Sequence, residues 1–399
     1  MALIPPERPA DEAEDRAADL AAARRRKAVR YGVPLGIAGL AAATIGLVPA
    51  LAQDDGPSSD DVTAEELIAK ALASEVESVD GTVKVSTDLG LPSIPFGGGG
   101  DGANLSRLLA GDTKLHVAAD GPEKQRVTLT GSDGDRTVVR NGEDVWTFGG
   151  DSDEVSHSTL PKDAGKKKDA PEHDLGLPKD LKDATPQELA ERLLKAADET
   201  TDVDVAGTAQ VAGQDAYELR LTPKQDESTV RDITIAVDAD NGVPLRVALT
   251  ADDGKAVVDV GFTKVDFNKP DADLFAPPAG AEVTEKDLDE GFGEGLGGDF
   301  GKGFGGFGGD WAGGDRAGGG KAAGPEDVEV HGEGWGSIAE LSLPGGTLSE
   351  NGVGAALDFF TDKTDAGRVF ESRLVNVLIT DDKVYVGAVT PEALEAAAD

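Results

Sequence analysis

Cysteine is absent from all 399 residues. That one absence excludes disulfides, thiolate metal sites, cysteine nucleophiles and a lipid-bearing N-terminal cysteine. Basic residues are scarce, 38 Lys and Arg against 76 Asp and Glu, for a formal charge of −38. A surface this negative repels phosphate backbones, which argues against nucleic acid as a partner and suits solubility in an extracytoplasmic medium. Histidine occurs four times, at His116, His157, His173 and His331, without metal-ligand spacing, and no metal or cofactor is expected. No Gly-x-Ser-x-Gly elbow is present, and among 76 carboxylates no pair stands out as acid and base. The chain is therefore expected to bind rather than to catalyse.

What is present begins with an export signature. The basic cluster "RRRKAVR" at 24–30 precedes an uncharged run, "VPLGIAGLAAATIGLVPALA" at 33–52. Its end, Ala50-Leu51-Ala52, fits signal-peptidase cleavage, while its length just reaches the roughly 20 residues that span a bilayer. Cleaved signal and retained anchor both place residues 1–32 inside and everything after 53 outside. The expected location is thus extracytoplasmic, secreted or tethered to the plasma membrane by 33–52.

After a polar spacer at 53–61, Thr63 and Glu66 make a capping box that opens a helix expected to run to about Val79. A strand over 82–88 should follow, and then an apolar, glycine-rich loop over 89–110 that carries Leu89, Leu91, Ile94 and Phe96. Short alternating segments at 114–119, 125–131, 136–140 and 144–148 are separated by Asp133-Gly134 and Asn141-Gly142. These dipeptides accept the positive φ of hairpin turns, so the region reads as an antiparallel meander. Residues 150–183 read as a charged, solvated insertion. Thr185 and Glu188 then open a second helix, with Pro186 at its first position. Strands resume at 207–211, 217–222, 229–237, 244–250 and 255–265. About ten strands cannot stay flat in one sheet; the expected fold is α+β, a curved antiparallel half-barrel over 62–285 covered by helices.

Residues 286–325 are so rich in glycine that they read as a disordered linker. Gly293-x-Gly295-x-x-Gly298 and Gly303-x-Gly305-x-x-Gly308 match the dinucleotide fingerprint as strings, but neither follows a strand or opens a helix, so neither supports nucleotide binding. Strands at 328–330, 337–343, 373–380 and 383–388, with a final helix after Thr390-Pro391, suggest a small α+β accessory domain over 326–399.

The apolar positions of the meanders, Val83, Val85, Leu115, Val117, Val127, Leu129, Val138, Trp146, Phe148, Leu219, Leu221, Ile233, Ile235, Val247 and Leu249, are expected to share one inner face. In order, "VAGQDAYELRLTP" (211–223), "IAVDADNGVPLRV" (235–247), "VDVGFTKVDFN" (258–268) and "DLFAPPAGAEV" (273–283) resemble the LolA/RseB-like lipoprotein-carrier superfamily, and "TAEELIAKALAS…VDGTVKVSTDLGLP" (63–92) fits the same group. The resemblance implies an incomplete barrel with a hydrophobic cavity. It implies either a carrier of lipid or lipoprotein acyl chains or an RseB-like regulator that binds a membrane-anchored anti-sigma factor. On the carrier expectation, Leu89, Leu91, Ile94 and Phe96 form a lid and Trp146, Phe148, Leu219 and Leu221 line the cavity. The sequence leaves the oligomeric state open.

Overall fold

The computed structural model describes residues 62–90, 110–131, 134–149, 152–160, 185–286, 328–342 and 361–399. The basic N-terminus, the 33–52 run, the spacer up to residue 61, the loop positions Leu91, Ile94 and Phe96, both glycine strings and most of the 150–183 run lie outside them.

Both capping boxes are present. The Glu66 amide donates to Thr63 Oγ1 at 3.2 Å and the Thr63 amide to Glu66 Oε2 at 2.9 Å, opening α1 (Ala64–Leu72). Thr185 and Glu188 do the same for α2 (Pro186–Ala197). Helix α1 stops at Leu72, short of the expected Val79. Ala73 caps it, donating its amide to the Ala69 carbonyl, and a strand takes over at Ser78.

Twelve strands of the described residues form one sheet. They are β1 (Ser78–Asp88), β2 (Ala110–Asp120), β3 (Lys124–Thr130), β4 (Arg136–Asn141), β5 (Asp144–Gly149), β6 (Ser152–Thr159), β7 (Thr201–Val211), β8 (Gln214–Pro223), β9 (Val230–Asp238), β10 (Pro244–Ala251), β11 (Ala256–Asp266) and β12 (Val283–Glu285). Their spatial order is β12-β6-β5-β4-β3-β2-β1-β11-β10-β9-β8-β7, antiparallel except for the parallel β12–β6 pair. The half-barrel expectation holds, with two strands more than the sequence count. The sheet bends enough to bring β7 into contact with β11, and one buried cluster joins Val83 and Leu115 to Val211, Ala216, Leu245 and Phe262. Asn141-Gly142 makes its expected turn, with Gly142 at φ +66°. The β7–β8 turn has no such signal in the sequence: Ala212 takes φ +52°, a conformation that non-glycine residues seldom adopt.

The C-terminal residues form a second, six-stranded sheet. Its strands are β13 (Val328–His331), β14 (Ile338–Ser342), β15 (Asp362–Lys363), β16 (Arg368–Phe370), β17 (Asn376–Ile379) and β18 (Lys383–Gly387), in the order β13-β14-β18-β17-β16-β15. Helix α3 (Pro391–Ala398) seats Leu394 with Ile338, Val369, Leu378, Tyr385 and Val389 in its own core.

The two sheets touch. The Thr229 amide donates to the Ala388 carbonyl at 3.0 Å, the Thr390 amide to the Glu227 carbonyl at 2.8 Å, and Ser228 bridges Val389 as an antiparallel pair. Trp335 donates its Nε1–H to Thr201 Oγ1 at 2.8 Å, and it packs with Leu374 and Ala388 against the Leu67–Leu221–Val230 cluster. No helix among the described residues is long and apolar enough to cross a membrane.

Candidate functional site

Directly paired residues of an antiparallel ladder point to the same face, so the register assigns every side chain to one side of the large sheet. Leu221 pairs with Val203 and Ile233, Ile233 with Leu249, Leu249 with Val258; Val260 pairs with Val85, Val83 with Leu115, Leu115 with Leu129, Val127 with Val138. A single apolar face therefore runs from β7 to β4. Helices α1 and α2 pack on each other and on β7, and α1 also on β8, so they cover one end of that face. There Leu67 is fully buried against Leu219, Leu221, Ile233 and Ile235. At the other end Val117, Val127, Leu129 and Val138 are only half-buried. This strip is the candidate binding surface.

Trp146 and Phe148 do not belong to it. The Asn141–Asp144 pairing sets Val139 opposite Trp146, Thr137 opposite Phe148 and Val138 opposite Thr147, so both aromatics lie on the reverse face. There they flank Val139, Ala118 and Phe275, the last carried by a 3₁₀ turn at Ala272–Phe275. The Arg126 guanidinium sits 5.9 Å from the Phe148 ring centroid and donates to the Leu274 carbonyl at 3.1 Å, while Asn141 Nδ2 donates to the Phe275 carbonyl at 3.2 Å. The stretch "DLFAPPAG" thus caps the reverse face of β3 and β4.

The five described lining and lid residues accordingly fall in three places. Leu219 and Leu221 are sealed beneath α1, Trp146 and Phe148 stand on the reverse face, and Leu89 is half-buried at the exit of β1. Sequence reasoning missed Arg373, whose backbone amide donates to the Leu89 carbonyl at 2.9 Å. Nothing local marks it, because its partners lie far off in the chain.

Two titratable clusters stand out. His157, on the reverse face of β6, is stacked 5.4 Å from Trp146 and lies 2.8 Å from both Glu285 and Asp144. The hydrogen bond to Glu285, joined by that to Asp144, raises its pKa above the ordinary imidazole value against the opposing effect of burial. On the second sheet, Glu329, His331 and Glu340 bring ligand atoms within 4.8 Å of one another. The Glu340 carboxylate is already engaged, 2.7 Å from Lys383 and 2.7 Å from His331, and the Lys383 ammonium holds its pKa below the usual range. It reads as an ion-pair network.

A bent antiparallel sheet with helices over one end of its apolar face defines a LolA/RseB-like fold, as the sequence resemblance implied. Within that class, residues 113–290 match the family model of the MucB/RseB N-terminal domain. No curated protein matches the chain. Among solved structures, the MucA/MucB complex of Pseudomonas aeruginosa is 15% identical over 84% of this chain and 96% of that chain, with a TM-score of 0.36. An uncharacterised conserved protein from Thermus thermophilus is 12% identical over 56% of this chain and 99% of that chain (TM-score 0.30), and a LolA superfamily protein from Nitrosomonas europaea 13% over 54% and 98% (TM-score 0.21).

Proposed function

We propose that this protein is an extracytoplasmic binding protein of the RseB-like kind, which acts by holding a protein partner and performs no chemistry of its own. The observation that carries the reading is the MucB/RseB N-terminal domain over 113–290. The partner class is the exported segment of a membrane-anchored anti-sigma factor, as the superfamily resemblance implies. MucB itself has been crystallised in complex with MucA(peri). The basic cluster and apolar run over 24–52 support export, with units over 62–285 and 326–399 outside the membrane.

A carrier of acyl chains is the second reading, supported by the half-buried strip of Val117, Val127, Leu129 and Val138. Each methylene buried there would contribute about 0.8 kcal/mol. On this reading Leu89, Leu91, Ile94 and Phe96 remain the lid candidates, while Trp146 and Phe148 on the reverse face, and Leu219 and Leu221 beneath α1, do not line the strip. Native mass spectrometry of residues 53–399, purified from the organism's own envelope, separates the two. The regulator reading expects a co-purified membrane protein and no lipid adduct. Stoichiometric lipid without a protein partner contradicts it and favours the carrier.

A further inference from the structure

We infer that Arg373 is a salt-sensitive latch that fastens the C-terminal sheet to the large sheet at the exit of β1. Its guanidinium reaches two carboxylates far apart in sequence. Nη1 lies 2.6 Å from Asp88 Oδ2 and 3.0 Å from the Asp88 carbonyl, while Nε and Nη2 grip Asp253 at 3.1 and 2.9 Å. The Arg373 side chain is 16% exposed, and its own amide bonds the Leu89 carbonyl. Gly90, at φ +67°, lies so close that a Cβ there would come 2.7 Å from Arg373 Cγ.

The loop that presents Arg373 is braced beforehand. Ser372 Oγ accepts from the Leu374 and Val375 amides at 3.2 and 2.9 Å; Asn376, which is buried, accepts from the Ser372 amide at 2.9 Å and donates to the Val389 carbonyl at 2.8 Å. Sequence alternation suggests a strand from 373, whereas the strand starts at Asn376 because Ser372 and Asn376 hold 372–375 as a turn. A preorganised fork loses little freedom on gripping a carboxylate. Residue 374, next in the chain, puts Leu374 against the large-sheet core and offers its carbonyl to the Thr229 hydroxyl.

Charge opposes the docking. Residues 328–399 carry four basic side chains, Lys363, Arg368, Arg373 and Lys383, against thirteen acidic ones, and they dock onto a body that is itself acidic. The bidentate Arg373 contact offsets that repulsion at the point of docking. Asp88 and Asp253 are 68% and 44% exposed, so salt and competing charges reach them. A ligand that captures either aspartate, or the arginine, would remove one tie between the sheets and loosen the Leu374, Trp335 and Ala388 contact. The inference goes beyond the proposed function and holds whatever partner the protein has.

Hydrogen exchange on the full chain tests it through three amides that donate between the sheets, those of Thr229, Arg373 and Thr390. The variants are Arg373→Ala and, from the opposite side, Asp88→Asn with Asp253→Asn. Each is expected to speed exchange at the Thr229 and Thr390 amides by about tenfold while the β14–β18 ladder stays protected. In the wild type, raising salt from about 0.1 to about 1 M, which shortens the Debye length from ~10 to ~3 Å, should speed the same amides, and Arg373→Ala should remove that salt response. Unchanged exchange in both variants overturns the latch. So does loss of β14–β18 protection together with the reporters, because Arg373 would then be needed to fold its own sheet.

Discussion

At the scale of single residues, the two faces of the large sheet make different predictions. Phe275 is 1% exposed and closes the reverse face over Val139 and Ala118. Phe275→Ala removes that cap and leaves a cavity, so chemical denaturation should show a loss of about 3–5 kcal/mol. His157 ties β6 to β5 and β12 through Asp144 and Glu285, and its pKa is raised in the fold, chiefly by Glu285. A raised folded pKa stabilises fully below the unfolded imidazole value near 6.5 and is lost as pH rises through the folded value. Relative to His157→Gln, the wild type should therefore gain stability at pH 6 that shrinks by pH 8. Denaturant midpoints of the two proteins at both pH values check this; equal differences at both would contradict the ion-paired imidazolium.

Secondary-structure elements are the most legible level in the sequence. Helix starts are local chemistry, and both Thr-x-x-Glu boxes open helices where expected. Thr185→Ala should cost about 1 kcal/mol by removing the α2 cap, read from the thermal unfolding of the full chain. Ala212, at φ +52°, carries strain that glycine would not, so Ala212→Gly should stabilise the β7–β8 hairpin by about 0.5–1 kcal/mol despite the added chain entropy. Asn-Gly turns are legible for the same local reason, whereas Ala212-Gly213 gives no such signal. Strand β6 reads as solvated insertion because Asp153, Glu154 and His157 hide an alternation in which Val155 is 2% exposed. The side of the sheet taken by Trp146 and Phe148 depends on the β4–β5 register, and a shift by one residue moves a whole strand's side chains to the other face. Periodicity alone does not carry that register.

For the whole molecule, the decisive fact is the contact between the sheets, which no local pattern announces. Thr229, Ser228 and Glu227 meet residues 388–390 across a connection that passes through 287–327. Trp335 anchors the contact through Thr201 and the Leu221–Val230 cluster. Calorimetry should show one cooperative transition for the full chain, and Trp335→Ala should split off a separate transition of the C-terminal sheet. A partner-binding regulator built this way can offer two surfaces held in fixed relation, one from the MucB/RseB-type domain and one from the docked sheet. What defines such a regulator is that it binds a protein. The most direct measurement is titration calorimetry of the exported chain with the exported segment of the organism's own membrane-anchored anti-sigma factor. Saturable one-to-one binding is the predicted result; no heat and no complex at concentrations up to about 0.1 mM, far weaker than a specific interface of standard size sustains, would contradict it.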